Sequence, residues 1–309
     1  MKKRDFLSLT DFSPGEINAL LRRSLDLKKK WVRGQTKYRP LEGKSLALIF
    51  DKPSTRTRVS FEVAIQQLGG GALYLDPGST QIKRGETIAD SARVLSRYLA
   101  GIVIRTFGQE VVEEWARWAS VPVINGLTDL LHPCQIFCDL LTMIEKKKGF
   151  KGRKVAYIGD GNNVAHSWLH AASLLDFSLS LACPKGYGPN PKILSEARRR
   201  APERIAVTQD PEEAARGADV IYTDVWASMG QEEERARRLK RFRGYQVDER
   251  LVAKAKRDAV VMHCLPAHAG EEISEAVIEG PQSVVFEQAE NRLHGQKGIL
   301  DWLLSRRRK

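Results

Sequence analysis

Short apolar runs alternate with longer amphipathic segments along most of the chain, and this alternation is typical of parallel sheets covered by helices. Ser13, Pro14 and Glu16 place a capping hydroxyl, a first-turn proline and a returning carboxylate in capping-box order, which predicts the start of a first helix. The first half of the chain therefore predicts one α/β unit. Its predicted strands lie at 46–50, 73–75, 102–105 and 122–124, and its further helices at about 57–68, 87–99 and 109–119.

A second series of strands follows a predicted helix at about 135–148, which ends at Gly149. These strands are predicted at 154–158, 179–182, 205–207, 220–223, 260–262 and 284–286. The fold class is thus α/β, with two doubly wound parallel-sheet domains joined by helices and a C-terminal helix that returns to the first domain. We place the first domain at 1–145 plus 290–309 and the second at 146–289. Such folds bind ligands in clefts between domains and at the carboxyl ends of parallel strands.

Length and composition exclude several classes of protein. A chain of 309 residues suits two cores, since single cores stop growing near ~250 residues. Its apolar runs are far shorter than the ~20 residues that a membrane span needs, and Lys2, Lys3 and Arg4 are not followed by the apolar stretch of a signal peptide. Four scattered cysteines do not form a disulfide framework and suit a reducing compartment. We therefore expect a cytoplasmic protein without a membrane partner.

The net charge of +12 could indicate nucleic acid, an anionic membrane or an anionic small substrate. Basic runs at 28–30, 146–148 and 198–200 each lie near the end of a predicted helix, where positive charge complements the helix dipole. The excess charge is not focused on one face with interleaved aromatic residues. We interpret it mainly as solvated surface and expect no nucleic-acid partner, although the basic tail at 306–309 leaves that alternative open.

The predicted strand that ends at Phe50 leads into a segment suited to a phosphate. This segment combines the free amides of a predicted helix start with serine and threonine hydroxyl groups and two arginines. Such a combination of donors and positive charge suits a phosphate dianion. The alternative is a capped helix with surface arginines, which accounts for the cap but not for an arginine inside the turn. The segment consists of Ser54, Thr55, Arg56, Thr57 and Arg58.

This segment, followed by Val59, Ser60, Phe61 and Glu62, resembles the carbamoyl-phosphate signature of the aspartate and ornithine carbamoyltransferases. Other motifs similar to those of the family follow in order, so the resemblance covers essentially the whole chain. They are Arg105 at a strand end; His132, Pro133, Cys134 and Gln135; the segment from Asp224 to Met229; His263, Cys264, Leu265 and Pro266; and Glu290, Asn291 and Arg292.

The resemblance implies a site for carbamoyl phosphate in the first domain, with no metal or organic cofactor. Arg56 and Arg105 would hold the phosphate, His132 and Arg292 would polarise the carbonyl oxygen, and Gln135 would fix the carbamoyl amide. The full implied binding set is Ser54, Thr55, Arg56, Thr57, Gln81, Arg105, His132, Gln135, Cys264, Leu265 and Arg292, and the implied catalytic set is Arg105, His132, Asp224 and Cys264.

Gln81 lies in a loop that, in the family, reaches into the active site of a neighbouring subunit. The resemblance therefore implies a homotrimer or a multiple of trimers. Without the resemblance, this segment is a solvated loop, and His132 before Pro133 is a histidine at a helix start.

The second domain is expected to bind the amine substrate. Asn163, Asp224, Ser228 and Met229 would contact ornithine, and Cys264 with Asp224 would orient its side-chain amine and help it to lose a proton. Taken alone, an aspartate after a strand is equally a helix cap, and a cysteine that ends an apolar strand is more often inert core. The resemblance thus predicts transfer of a carbamoyl group to ornithine in arginine metabolism.

Other functions remain as alternatives. A sister enzyme for putrescine, aspartate or acetylornithine is disfavoured by Cys264 and by the segment from Ser228 to Gly230. The glycine turn after Tyr157 invites a dinucleotide-binding oxidoreductase, but Val164 stands where a third glycine belongs. His166 and His170 are spaced as on one helix face, but Ser167 replaces the glutamate of a zinc hydrolase, so we expect no metal.

Overall fold

A computed structural model of the chain describes residues 3–76, 78, 85–227 and 234–305. The chain divides into two compact units. The first contains Met1–Leu141 together with Glu290–Lys309, and the second contains Thr142–Ala289. Within the described residues, no helix is long and apolar enough to cross a membrane.

The first unit is built around a parallel sheet with strand order β2-β1-β3-β4. Ser13 caps the first helix, because its hydroxyl accepts a hydrogen bond from the Glu16 amide. The Glu16 carboxylate in turn accepts from the Ser13 amide, so the predicted capping box is confirmed. The elements are a 3-10 turn (Leu9–Asp11), α1 (Pro14–Val32), β1 (Ser45–Phe50), α2 (Thr55–Gln67), β2 (Gly71–Leu75), α3 (Ile88–Leu95), β3 (Gly101–Arg105), α4 (Gln109–Trp118), β4 (Val123–Leu127) and α5 (Pro133–Lys147).

The second unit is built around a parallel sheet with strand order β7-β6-β5-β8-β9. The predicted α/β class with two parallel sheets is thus confirmed. The elements are β5 (Lys154–Ile158), α6 (Asn163–Leu174), β6 (Ser178–Ala182), α7 (Pro191–Arg200), β7 (Ile205–Thr208), α8 (Pro211–Ala215), β8 (Val220–Thr223), α9 (Arg235–Arg241), α10 (Glu249–Val252), β9 (Val260–His263), α11 (Glu275–Ile278) and α12 (Val285–Leu304).

The strand predicted at 284–286 is wrong. Val285 is the first residue of α12, and the only sheet-like pairing in this part of the described chain is an isolated bridge between Val261 and Ser283. The Gln288 amide donates to the Val284 carbonyl at 2.8 Å, which closes the first turn of the helix. A short β-branched run predicts a strand from local preference alone, but here tertiary packing selects a helix start.

Each sheet reverses its winding at one place, between β1 and β3 in the first unit and between β5 and β8 in the second. In doubly wound sheets the crevice at this switch point, outside the carboxyl ends of the strands, is where ligands bind. Phe50 pairs with Arg105 at the first switch point, and Ile158 pairs with Thr223 at the second. The segments that follow these residues therefore define one candidate group of site residues in each unit.

Candidate active site

Ser54 and Arg105 lie at the switch point of the first sheet. Ser54 caps α2, because its Oγ accepts from the Thr57 amide at 3.2 Å. Arg105 ends β3 and is only 8% exposed, and its carbonyl accepts from the Asp51 amide at 2.8 Å. Residues Thr55 and Arg56 form the first turn of α2. A helix start beside a nearly buried guanidinium suits an anion.

Arg292 links the first turn of α2 to α5. Its Nη2 donates to Thr57 Oγ1 at 3.0 Å, and its Nη1 donates to Gln135 Oε1 at 2.6 Å. Gln135 in turn donates from Nε2 to Asp139 Oδ1 at 2.8 Å, so both ends of its amide are engaged. All four side chains are buried. Within the described part of the chain, Nε of Arg292 has no hydrogen-bond partner, which leaves one buried donor for a ligand.

His132 is the uncharged member of this group. Burial lowers its pKa well below 6.5, and the nearby charges of Arg292, Arg105 and Arg56 lower it further. A neutral imidazole surrounded by three guanidinium groups donates a hydrogen bond without adding charge. The first unit therefore brings together Arg56, Thr57, Arg105, His132, Gln135 and Arg292 in a cluster that suits a phosphate dianion and a carbonyl oxygen.

Gln81, Ser228 and Met229, three of the predicted site residues, lie outside the described residues. Leu265 is described and has a left-handed backbone (φ 57°). Its amide donates to His263 Nδ1 at 2.9 Å, and His263 Nε2 faces Glu272 Oε1 at 3.2 Å. Since Nδ1 accepts, the ring proton lies on Nε2 and Glu272 is its acceptor. This buried pair fixes the segment that carries Cys264.

Asp224 and Cys264 meet in the second unit. β8 and β9 are neighbours in register, with Thr223 opposite His263, so the residues that follow them lie side by side. The Cys264 thiol donates to Asp224 Oδ1 at 2.9 Å. Asp224 is 6% exposed and does not cap the next described helix, since α9 has Glu234 at its cap position and no side-chain cap bond. Cys264 and Asp224, which are both predicted to orient the substrate amine, are thus hydrogen-bonded to each other.

Asn162, which the sequence analysis did not single out, also contacts Asp224. Its Nδ2 donates to Asp224 Oδ2 at 2.9 Å. The predicted ligand Asn163 is the first residue of α6, and its carbonyl accepts from the Ser167 hydroxyl. A signal for Asn162 was available, because asparagine before an amphipathic run is a favoured helix cap and β5 ends just before it.

Backbone atoms of another loop occupy the space beside the glycine turn that follows β5. A Cβ on Gly161 would lie 2.2 Å from the Pro189 nitrogen and 2.3 Å from the Gly188 carbonyl carbon, so glycine is needed here for backbone packing. That packing removes the close backbone approach that a dinucleotide pyrophosphate requires. His166 Nε2 accepts from the Asn190 amide at 2.8 Å, which accounts for this histidine without a metal.

Among the described residues, two groups of side chains offer atoms that could hold a metal. Asp224, His263 and Cys264 have ligand atoms within 4.8 Å of one another, as do His268, Glu271 and Glu272. Both ring nitrogens of His263 are already hydrogen-bonded, and Glu271 pairs with Arg235. A cation would have to displace these bonds, so the first group is better described as a hydrogen-bonded carboxylate and thiol.

Comparisons with known proteins agree with this geometry. Residues 4–145 match the family model described as aspartate/ornithine carbamoyltransferase, carbamoyl-P binding domain, and residues 151–303 match the model for the Asp/Orn binding domain of the same proteins. The chain is 56% identical over 302 residues to the ornithine carbamoyltransferase of Syntrophus aciditrophicus, covering 98% of this chain and 100% of that protein. It is 56% identical over 301 residues to that of Geobacter sulfurreducens, covering 97% and 99%. It superposes on the solved ornithine carbamoyltransferase from Pyrococcus furiosus with a TM-score of 0.93 and 52% identity, covering 97% of each chain.

Proposed function

Because the chain belongs to the aspartate/ornithine carbamoyltransferase family, we propose that it transfers the carbamoyl group of carbamoyl phosphate to the side-chain amine of L-ornithine, giving L-citrulline and phosphate. The observation that carries this proposal is the hydrogen bond from the Cys264 thiol to the Asp224 carboxylate. A thiol paired with a carboxylate at the end of a sheet can orient an amine, and the cysteine distinguishes the ornithine branch from the aspartate branch by resemblance.

In the proposed reaction, the amine nitrogen forms a bond to the carbamoyl carbon, the bond from that carbon to the phosphate oxygen breaks, and a proton leaves the nitrogen. Negative charge grows on the carbonyl oxygen and on the departing phosphate. His132 and Arg292 stabilise the first charge, while Arg56, Arg105 and the first turn of α2, with Ser54, Thr55 and Thr57, stabilise the second. Fixed donors stabilise such charge without having to reorganise during the reaction.

The neutral state of His132 supports its role as a hydrogen-bond donor. A charged imidazolium beside three guanidinium groups would be strongly disfavoured in a buried site, and the lowered pKa reflects this. Gln135 is held by Arg292 and Asp139, so it would reach the carbamoyl amide from a fixed position. Leu265, held with its amide on His263, would complete the carbamoyl phosphate site, together with Gln81.

At the amine end, ornithine must lose a proton before it attacks. Asp224 and Cys264 accept hydrogen bonds from that nitrogen and orient it. The rest of the substrate is contacted by Asn163, Ser228 and Met229. The carbamoyl-phosphate-binding domain comprises 1–145 plus 290–309, and the ornithine-binding domain comprises 146–289. The names of the two matching family models support this division of labour.

We further propose that the enzyme works as a homotrimer, or a multiple of trimers, in the cytoplasm and in arginine biosynthesis. All four cysteines lie in the described part of the chain and none of them forms a disulfide, which suits a reducing compartment. Exposed apolar side chains on the first unit, such as Val59 and Leu73, support a subunit contact there. Sedimentation should give three times the chain mass of 34.7 kDa or a multiple of it.

The substrate is tested by a citrulline assay that offers ornithine, putrescine, aspartate and acetylornithine in parallel with carbamoyl phosphate. We expect turnover of ornithine to exceed that of the other amines by at least about 100-fold, since one missing polar contact already costs about 10²-fold or more in a site built for it. Absence of turnover with ornithine would contradict the proposal. Turnover of putrescine or acetylornithine instead would identify a sister enzyme.

A further inference from the structure

Asn162 occupies the switch point of the second sheet, between the end of β5 and the start of α6. Its amide oxygen accepts three hydrogen bonds, from the Val164 amide at 2.9 Å, the Ala165 amide at 3.3 Å and the Tyr157 hydroxyl at 3.1 Å. Two of these donors are backbone N–H groups, which cannot accept. The orientation of the amide is therefore determined, with its oxygen toward α6 and its NH₂ group toward Asp224.

The NH₂ group of Asn162 donates to Asp224 Oδ2 at 2.9 Å, while the Cys264 thiol donates to Oδ1 of the same carboxylate at 2.9 Å. Asp224 is thus held by one donor on each oxygen. A carboxylate with a single donor can rotate about its terminal torsion, whereas one with a donor on each oxygen is fixed in plane and direction. Asn162 supplies the second of these two constraints.

We propose that Asn162 is a positioning residue for the reaction, and that its side-chain amide holds Asp224 as an oriented acceptor for the amine of the second substrate. This inference rests on the proposed function and assigns a role within it to a residue that binds no substrate itself. The same amide caps α6, so the direction of the carboxylate is tied to the helix that begins at the switch point.

Other ionisable groups near Asp224 are common to all the variants compared below. Asp160 and Tyr157 interact with it electrostatically, and the ring of His263 and the thiol of Cys264 lie within 4.8 Å of it. Burial raises the pKa of Tyr157 well above 10 and that of Asp160 to about 6, although Arg238 opposes the latter shift. These groups set a constant background, so a difference between variants reports on the replaced amide.

The test replaces Asn162 by aspartate. N162D keeps the acceptor that caps α6 but places a carboxylate oxygen where an amide donor stood, 2.9 Å from Asp224 Oδ2. Two carboxylates at this distance repel each other, which disfavours ionisation of both. When both are ionised, the second negative charge stabilises the ammonium form of bound ornithine. We expect the rising limb of kcat/KM for ornithine to move to higher pH by about one unit or more, with KM for carbamoyl phosphate unchanged.

The chain contains a matched control. Asn190 caps α7 in the same way, since its Oδ1 accepts from the Lys192 amide at 2.9 Å and from the Ile193 amide at 3.4 Å. N190D therefore makes the same chemical change at the same kind of cap, at a side chain whose oxygen accepts from the backbone of α7. A second pair, N162S and N190S, keeps a capping oxygen but removes the amide. We expect N162S to lower kcat/KM for ornithine by about 10- to 100-fold, the value of a hydrogen bond to a charged group.

The measurements are pH profiles of kcat/KM for each substrate and thermal midpoints for the four variants and the wild type. The inference is supported if N162D and N162S alter only ornithine kinetics while N190D and N190S match the wild type. It is overturned if N162D and N190D have the same pH profile of kcat/KM for ornithine. It is also overturned if the variants at both positions lose activity in proportion to the fall in their thermal midpoints. Failure of the proposed function is a different result, because the wild type itself would then not turn over ornithine.

Discussion

Arg292 donates a hydrogen bond to the Thr57 hydroxyl at 3.0 Å, although 235 positions separate the two residues in the chain. The bond joins α12 to the first turn of α2, the turn that also carries Arg56. Arg292 bridges from there to Gln135, so one guanidinium sets the spacing between the helix start and α5. The planar fork of arginine is suited to this double contact, and a lysine offers a single flexible ammonium instead.

The first prediction concerns this bridge. Arg292→Lys retains the charge but cannot donate to Thr57 and Gln135 together, and it also loses the buried Nε donor. We expect kcat/KM for carbamoyl phosphate to fall by about 10²- to 10³-fold, the range for removal of one preorganised donor. Steady-state kinetics at saturating ornithine measures this. Arg198→Lys, at an exposed position in the last turn of α7, is the control and should match the wild type. Equal activity of the two variants would contradict the assigned role.

The second prediction concerns the thiol on Asp224. Cys264→Ala removes the donor to Oδ1, whereas Cys264→Ser replaces it with a hydroxyl. We expect the alanine variant to lower kcat/KM for ornithine by about 10- to 100-fold and the serine variant by less, with a smaller change in the binding of carbamoyl phosphate in both. Competition binding and steady-state kinetics separate the two effects. Cys183→Ala is the control, since this buried cysteine lies outside the proposed site.

A flat pH profile would contradict the same mechanism. The substrate ammonium must lose a proton before attack, so the single-turnover rate should rise from neutral to alkaline pH. The rise should persist in Cys264→Ser with its midpoint displaced by the changed donor. If the rate were independent of pH in the wild type, proton loss from ornithine would not limit the reaction and the roles of Cys264 and Asp224 would need revision.

The third prediction concerns acid stability. Burial, together with the nearby His166 and Arg200, lowers the pKa of His170 from 6.5 to about 4. Between these values the unfolded chain binds a proton that the folded chain does not, so the free energy of unfolding decreases as the pH falls from about 6.5 to about 4. His170→Gln should weaken that dependence by about 1.4 kcal/mol per pH unit. Urea unfolding at pH 7.5, 6 and 5 measures it.

His268→Gln is the matched control for acid stability, because His268 is 46% exposed as a side chain. It shows the effect of replacing a histidine at an exposed position, with which the effect at the buried His170 is compared. If His170→Gln lost stability on acidification as steeply as the wild type does, the folded state would be protonating His170, contrary to its burial.

The fold was predictable because its signals are local and repeated. The capping box at Ser13 and Glu16 and the apolar runs of β1 and β3 each indicate an element without help from distant residues. The start of α12 was not predictable in this way. Val284 and Val285 favour a strand by local preference, and only packing within the folded chain decides for a helix.

The site was predictable residue by residue but not contact by contact. Family motifs identify Arg292, Gln135 and Asp224, yet they do not reveal which atoms these side chains bond to. The bridge from Arg292 to Thr57 depends on the return of α12 to the first unit, and no spacing in the sequence encodes that distance. Asn162 escaped notice for the opposite reason, because its cap signal is so common that it suggests a structural role alone.

The last prediction concerns close packing of α12 against α1 in the first unit. A Cβ on Gly298 would lie 1.8 Å from Ser24 Oγ and 2.9 Å from Ser24 Cβ. Ser24 is fully buried and its hydroxyl donates to the Leu20 carbonyl at 2.9 Å, so it cannot move aside freely. Gly298→Ala should therefore destabilise the protein by about 1–3 kcal/mol through overpacking, even though alanine favours a helix.

Two further variants test whether overpacking is the cause. Ser24→Gly opens the space that the new methyl group needs. The double variant Gly298→Ala with Ser24→Gly should therefore lose less free energy of unfolding than the sum of the losses in the two single variants, by about 0.5 kcal/mol or more. Gly15→Ala, in the first turn of α1 with nothing within 4 Å of its Cβ position, should not destabilise the protein. Urea midpoints of the wild type and these variants give the comparison. If Gly298→Ala were as stable as Gly15→Ala, α12 would not approach α1 as closely as Gly298 and Ser24 indicate.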